Sequence, residues 1–409
     1  MTSTLLTIIG KGDASADPAS DPYQRTAYAF PGGARTSVFF GAALVQELRP
    51  QQVILVGTRT SSWRALAIDE ANDLDLAAQL EAEEHNGVTL TSLARLADVL
   101  GLAWHTTVSA TALPVSAAPD EAGAATVALA FYRLLPRQGP FDLDLTHGFR
   151  TLPMLAMAAV NLYDAFHPGL LARTTLWYGE LARPAASGPR PARPGGSLAD
   201  GRALRLDGLR QTARLARAAA ALTTGFDPGP LADLVRPASP QLADVLDDLG
   251  DALLTHDFVR LTRTPEQILA RLDRLEGDLD GLVADEVRAV LQPLTIGGLG
   301  RRLIALAGWA SDHGRHALAA IAAHEGLVRL ATRDASTREA DRVVEAYLAG
   351  KPAEAAVCDR LRRARNRVAH GAETVSRDPV PVDATVRAAL PVLRRLAKDD
   401  PTQGGGSHA

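Results

Sequence analysis

The chain has 409 residues, which is long for one domain and predicts two or three. Its hydrophobic content of 46% is that of a well-cored globular protein, and its net charge of −4 excludes binding to long nucleic acid by charge alone. The single cysteine, Cys358, excludes an internal disulfide and a cysteine-based zinc site, so we expect a reducing cytoplasm. Residues 1–10 lack a basic start and a long apolar run, so we expect no signal peptide. No apolar stretch is long enough for a membrane span.

The first half of the chain alternates short apolar runs with helical patterns. The helical spacing covers residues 37–48, 93–100, 125–135 and 153–163. The strand-like runs are residues 5–9, 53–56, 103–108, 141–145 and 174–178. Strands that alternate with helices predict an α/β domain with a doubly wound, mostly parallel, Rossmann-like sheet. We assign this domain to residues 1–183.

The second half predicts an all-α region. Residues 184–198 are rich in Pro, Gly and Ser and predict a linker. We expect no strand after it, but a helical connecting region over 199–300 and a helical domain over 301–400, with a flexible Gly-rich tail over 401–409. Thr264 and Pro265, followed by Gln267, predict the start of a helix.

Three loops in the first half follow predicted strands and carry polar or glycine residues. The first covers residues 10–12, the second 57–63 and the third 146–150. In an open parallel sheet, ligands bind beyond the carboxyl ends of the strands. Glycine amides and a helix N-terminus suit phosphate, and an indole at Trp63 can stack on a base. The candidate ligand-binding residues are Gly10, Lys11, Gly12, Thr58, Arg59, Thr60, Ser61, Thr146, His147, Gly148 and Arg150.

Each of these loops also has a purely structural explanation. Gly-Lys-Gly is common in turns, Trp63 can belong to the core, and Thr146 can cap a helix. The sequence contains neither a Walker motif nor a Gly-x-Gly-x-x-Gly at the first helix, which disfavours an ATPase or a dinucleotide-binding enzyme.

The second half contains an arginine-rich segment that ends in the sequence RNRVAH at 365–370. Asn366 and His370 are four apart, so on a helix they share a face, and Arg365 flanks it. A guanidinium can hold phosphate oxygens, an imidazole can move a proton near neutral pH, and an amide can orient either. The six residues contain no carboxylate, so this motif alone does not predict a metal site. A solvated helix face capped by His370 is the structural alternative.

The motif Arg-Asn-x-x-x-His near the end of a helical domain resembles the signature of HEPN ribonucleases. The resemblance implies that Arg365, Asn366 and His370 are catalytic and that two copies of the motif act together across a dimer. It also implies cleavage of RNA without metal, by attack of a 2′-hydroxyl that leaves a 2′,3′-cyclic phosphate.

Segments of the first half resemble the motifs of CARF domains, the sensor domains of ancillary proteins in type III CRISPR systems. These segments are TSVFFG at 36–41, GTRTSSW at 57–63 and DLTHGFR at 144–150. The run Trp309…Ala317…Glu325 is similar to the helices that precede the HEPN motif in such proteins. The resemblance implies a homodimeric, or higher oligomeric, cytoplasmic ribonuclease that cuts single-stranded RNA. It implies activation by cyclic tetra- or hexa-adenylate and no cofactor.

Three alternatives remain open from the sequence. The first is a regulator that senses a nucleotide without catalysis and binds DNA or a protein through its helical half, although no recognition helix stands out. The second is a sensor half that slowly cuts its own activator, with help from Thr146 and His147. The third is a HEPN toxin or nucleotide-modifying protein unrelated to CRISPR, which the sensor motifs disfavour.

Overall fold

The structure is a computed structural model that describes residues 2–11, 25–84, 86–113, 121–148, 151–181, 199–272, 278–333, 339–370 and 381–399. The chain divides into two compact units, residues 1–214 and 215–409. Among the described residues, no helix is both long and apolar enough to cross a membrane.

The first unit contains an eight-stranded sheet and six helices within its described residues. The strands are β1 Thr4–Ile8, β2 Thr26–Phe30, β3 Gly33–Ser37, β4 Gln52–Thr58, β5 Thr107–Leu113, β6 Phe141–Asp144, β7 Thr174–Leu181 and β8 Ala199–Arg205. The helices are α1 Phe40–Leu48, α2 Trp63–Asp69, α3 Leu74–Glu84, α4 Leu90–Trp104, α5 Glu121–Leu134 and α6 Thr151–Phe166.

The strand order is β3-β2-β8-β7-β6-β1-β4-β5. The five strands from β7 to β5 are parallel to one another, which confirms the predicted parallel core of the sheet. Two antiparallel pairings, of β8 with β7 and of β3 with β2, make the whole sheet mixed. The carboxyl ends of β6, β1 and β4 therefore lie side by side at one edge.

The central strands are apolar on both faces because helices cover both sides of the sheet. In β1, Leu5 packs in one hydrophobic cluster with Phe39 and Trp63. Its neighbours Leu6 and Ile8 pack in a second cluster on the opposite face. This double burial explains why a short apolar run without alternation predicted β1 correctly.

The sequence analysis missed three strands, which are β2, β3 and β8. The expectation of no strand after the linker is wrong, since β8 (Ala199–Arg205) pairs with β7 on one side and with β2 on the other. Its sequence, ADGRALR, has no apolar run, and it is held by backbone pairing. The predicted strand at 103–108 is also displaced, because α4 continues to Trp104 and β5 begins at Thr107.

The second unit is helical throughout its described residues. Helix α7 (Asp207–Gly225) crosses the boundary between the units. It is followed by α8 Gly229–Val235, α9 Pro240–Thr255, α10 Phe258–Leu272, α11 Asp278–Leu291, α12 Leu299–Asp312, α13 His316–Thr332, α14 Ala340–Tyr347, α15 Pro352–His370 and α16 Val382–Lys398. One hydrophobic cluster extends from Ala218 to Ala397, so residues before and after position 300 share a core.

The predicted helix start at Thr264 is wrong, because Thr264 and Pro265 lie inside α10. The helix begins after Asp257, whose carboxylate accepts a hydrogen bond from the Arg260 amide at 3.1 Å. The Thr264 hydroxyl donates to the Arg260 carbonyl at 2.7 Å. Pro265 and Ile268 are both buried, and this burial offsets the backbone hydrogen bond that proline cannot donate.

Candidate functional site

The first and third predicted ligand loops touch at their glycines. Gly10 follows β1, Gly148 follows β6, and a Cβ added to Gly10 would lie 2.7 Å from the Gly148 nitrogen. Gly148 has a φ of +103°, a conformation that L-residues rarely adopt. The two positions therefore require glycine so that the two backbones can meet at this edge of the sheet.

The loop after β4 is held to the loop after β1 by its hydroxyls. The Ser61 Oγ accepts from the Thr58 amide at 2.8 Å and donates to the Ile9 carbonyl at 2.9 Å. The Ser62 amide donates to the Gly10 carbonyl at 3.0 Å. Thr58 and Ser61 are buried, so their side chains shape the loop from inside.

Trp63 belongs to the core, which is the structural one of the two roles that the sequence left open. The side chain is 2% exposed, and its Nε1 donates to the Thr58 carbonyl at 2.9 Å. Gly57 lies against the indole, since an added Cβ there would be 2.7 Å from the ring. The buried indole therefore holds the loop after β4 through its contacts with Gly57 and Thr58.

Two cationic side chains are exposed on these loops. Lys11 is exposed directly after β1. Arg59 is exposed after β4, and its Nη2 donates to the Asn86 carbonyl at 3.2 Å. Thr60 is partly exposed beside them. Gly12, predicted with Lys11, lies outside the described residues.

The loop after β6 is anchored by Asp144. The buried carboxylate accepts from the Thr7 hydroxyl at 2.6 Å and from the Thr146 amide at 2.8 Å. The Thr146 hydroxyl accepts from the Gly179 amide on β7 at 2.7 Å. Burial raises the pKa of Asp144 to about 6, because the charged form loses its hydration.

His147 joins this loop to the first turn of α1. Its Nε2 accepts a hydrogen bond from the Phe40 amide at 3.2 Å, and its ring stacks on Phe39 with centroids 5.1 Å apart. Burial lowers the pKa of His147 to about 4. A ring nitrogen that accepts a hydrogen bond must be unprotonated, so geometry and pKa agree on a neutral imidazole. Arg150, predicted on the same loop, lies outside the described residues.

The second candidate site lies on α15. Cys358, Leu361 and Ala364 are buried on one face, and Asn366 is exposed on the other. The helix continues through His370, so positions 366 and 370 share a face, as the spacing predicted. The His370 side chain lies outside the described residues.

Arg365 lies at the edge between these faces, with a side chain that is 29% exposed. Its Nη1 donates to the Asn366 Oδ1 at 3.0 Å. Its Nη2 lies 3.7 Å from the Oε1 of Glu325, on α13. Its Nε is buried and has no hydrogen-bond partner among the described atoms.

His324 precedes Glu325 on α13 and is buried. Desolvation lowers its pKa to about 4, and the positive charge of Arg365 contributes in the same direction. His324 is therefore neutral at physiological pH, and the Arg365 guanidinium is the charged group of this pair.

The remaining arginines of α15 divide into two groups. Arg362 and Arg363 both donate to Asp359, at 3.0 and 2.6 Å. Arg360 and Arg367 are exposed. Asp359 thus holds two arginines of the arginine-rich segment.

The sequence analysis gave no role to Asp359 and His324, and it named Glu325 only as part of a run that resembles the helices before the HEPN motif. Asp359 stands three and four positions before its arginines, a helical spacing that could have revealed the pairing. Glu325 lies forty residues from Arg365 in the sequence and meets it only because α13 packs against α15.

Known proteins offer only a distant match to this chain. No protein-family model and no curated protein match the chain. Among solved structures, the chain is similar to Enterococcus italicus Csm6 bound to cyclic hexa-2'-fluoro-hexa-dAMP. The identity is 12% and the TM-score 0.37, over 97% of this chain and 93% of that chain. At this level the similarity adds nothing to the argument from the geometry.

Proposed function

We propose that the chain is a metal-independent endoribonuclease that cuts single-stranded RNA when a cyclic oligoadenylate binds its first unit, in type III CRISPR antiviral defence. The observation that carries the proposal is the held guanidinium of Arg365. It is partly buried, it donates a hydrogen bond to Asn366, and it lies on the helix that ends at His370. Partial desolvation strengthens the attraction of a guanidinium for phosphate oxygens.

The proposed reaction needs no external water or metal. The 2′-oxygen of one ribose attacks its own 3′-phosphorus, and the bond from phosphorus to the 5′-oxygen of the next nucleotide breaks. The 2′-hydroxyl loses its proton, and the leaving 5′-oxygen gains one. Arg365 would stabilise the charge that builds on the non-bridging oxygens, and His370 would take part in the proton transfers. The products are a 2′,3′-cyclic phosphate and a 5′-hydroxyl.

The first unit supplies a polar edge that suits a ring of nucleotides. The Gly10 and Gly148 backbones meet there without side chains, and Lys11 and Arg59 are exposed on the loops after β1 and β4. Backbone amides and cationic side chains are the usual partners of phosphate. Two copies of this edge, related by a two-fold axis, would match a rotationally symmetric cyclic tetra- or hexa-adenylate.

Activation would follow from contacts that differ between an inactive and an active dimer. A ligand shifts such an equilibrium only by its difference in affinity for the two states. Contacts of one ring with both protomers would supply that difference, because they require the two sensor edges to approach each other. Two copies of Arg365 and His370 would then act on one RNA strand.

The test separates catalysis from sensing. Arg365→Ala and His370→Ala should each abolish RNA cleavage and leave the affinity for the activating ring within about twofold of wild type. Loss of ring binding in both variants would instead indicate a folding defect and remove support for the assignment. Lys11→Ala combined with Arg59→Ala should raise the ring concentration needed for half activation, and an unchanged activation curve would contradict the assigned pocket.

A further inference from the structure

Arg365 needs support that α15 alone gives only in part. An arginine side chain loses about 2 kcal/mol of rotamer entropy when it is fixed in one geometry. Asn366 is the next residue on the same helix and holds only Nη1, at 3.0 Å. A second restraint from another helix would fix the plane of the guanidinium.

Glu325 on α13 supplies that restraint. Its Oε1 lies 3.7 Å from the Arg365 Nη2, which is within ion-pair range but too long for a hydrogen bond. Among the described residues, Glu325 is the one carboxylate that forms an ion pair with Arg365. The carboxylate therefore attracts the guanidinium without using the Nη2 hydrogens, which stay available for phosphate.

The surroundings make this attraction stronger than that of a surface ion pair. The side chains of Arg365 and Glu325 are only 29% and 26% exposed. The neighbouring His324 is buried and neutral, so it adds no competing positive charge. With less water around the pair, the carboxylate attracts the guanidinium more strongly than it would at the surface.

We propose that Glu325 is a positioning residue that holds the Arg365 guanidinium in the orientation that the scissile phosphate requires. This inference rests on the proposed ribonuclease activity. Glu325 does not touch the RNA, and its effect on cleavage passes through Arg365. Its loss should therefore lower the rate of the chemical step more than the affinity for RNA.

The experiment compares two glutamates that form the same kind of ion pair. Glu354 also lies 3.7 Å from its arginine, Arg395, and its side chain is 23% exposed. Glu325→Gln should lower kcat for RNA cleavage by about 10- to 100-fold, the usual effect of a displaced catalytic group. The affinity for an RNA with 2′-O-methyl riboses should change less than about threefold. Glu354→Gln should leave kcat and KM near wild type.

Two further variants separate positioning from folding. Glu325→Asp keeps the charge at a greater distance, so it should recover part of the lost kcat. In an Arg365→Lys background, Glu325→Gln should have little further effect on kcat, because its partner is already altered. Rates are compared at equal folded fraction, judged by circular dichroism at a temperature below every unfolding midpoint.

The outcomes distinguish this inference from the proposed function. Absence of RNA cleavage by the wild type with any ring would overturn both. Wild-type cleavage that Arg365→Ala abolishes, but that Glu325→Gln leaves unchanged, would overturn the positioning role alone. A rise in cleavage for Glu325→Gln without a ring would also overturn it, since the ion pair would then restrain Arg365 from acting.

Discussion

The Nε2 of His147 accepts a hydrogen bond from the Phe40 amide at 3.2 Å, and this contact joins two segments that are far apart in the sequence. Phe40 begins α1, and its amide has no carbonyl partner in the preceding turn. The imidazole therefore caps a helix and fixes the loop after β6 at the same time. In the proposed function, His147 would therefore affect binding of the activating ring by fixing the position of the loop after β6.

The first prediction concerns this contact. His147→Ala should weaken binding of the activating ring by about tenfold and lower stability by about 1 kcal/mol, because it leaves the Phe40 amide without its acceptor. Calorimetric titration with the ring and an unfolding curve measure the two effects. His147→Gln keeps a hydrogen-bond acceptor and should recover part of the affinity. Ring binding unchanged in His147→Ala would show that the loop does not depend on the imidazole.

The second prediction concerns the contact between the loops. Gly10→Ala would place a Cβ 2.7 Å from the Gly148 nitrogen, so one of the two loops must move. The variant should lose about 1–3 kcal/mol of stability and most of its affinity for the ring. Gly208→Ala is the matched control, because a Cβ there meets no atom within 4 Å. Equal ring affinity of the two variants would contradict a binding site at the Gly10–Gly148 contact.

The sequence predicted the parts of the fold that burial alone specifies. β1 and β4 are apolar on both faces, so their composition revealed them. β3 and β8 are held by backbone pairing with neighbours distant in the chain, and their polar side chains gave no signal. Sheet partners are a tertiary property that local periodicity does not encode.

The same limit applies to the candidate sites. The Arg365–Asn366 pair joins neighbours on one helix, so its contact follows from local sequence. The contact of Gly10 with Gly148 depends instead on the pairing of β1 with β6. The partnership of Arg365 with Glu325 depends on how α13 packs against α15, and the burial of Trp63 depends on the covering of β4. Neither follows from residue type or spacing.

The third prediction concerns the arginines bound to Asp359. Asp359→Asn removes the charge that holds Arg362 and Arg363, so both can bind phosphate. The affinity for a non-cleavable single-stranded RNA should rise, and its salt dependence should steepen by about 0.7 for each new phosphate contact. Anisotropy titrations at several salt concentrations measure both quantities.

The control for this variant is Asp285→Asn. It removes a similar ion pair on α11, in which Asp285 lies three positions before Arg288 and 2.7 Å from its guanidinium. It should leave RNA affinity and its salt dependence unchanged. Identical salt dependence for wild type and Asp359→Asn would show that Arg362 and Arg363 do not contact the RNA backbone.

The fourth prediction follows from the pKa of His324. Its pKa is about 4 in the folded chain and 6.5 when unperturbed, so below pH 6.5 the unfolded chain takes up a proton that the folded chain does not. Stability is therefore lost as the pH falls from 6.5 towards 4. The contribution of His324 between pH 7 and pH 5 is about 2 kcal/mol.

Urea unfolding of wild type and His324→Gln at pH 7 and pH 5 measures this contribution to the free energy of unfolding. The variant should lose less stability than wild type over the same interval, because glutamine does not titrate. His147 contributes with the same sign and Asp144 with the opposite sign, and both are present in each protein. Parallel losses in the two proteins would place the pKa of His324 near its ordinary value.

The most direct measurement is cleavage of a labelled single-stranded RNA in EDTA, with cyclic tetra-adenylate, with cyclic hexa-adenylate and with neither. The proposed function predicts cleavage with one ring only, products with 2′,3′-cyclic phosphate ends, and no cleavage where the attacking ribose is 2′-deoxy. Products with 3′-hydroxyl ends, or cleavage of the 2′-deoxy site, would contradict attack by the 2′-oxygen. Binding of a ring without any cleavage would contradict the ribonuclease and indicate a regulator that senses the nucleotide.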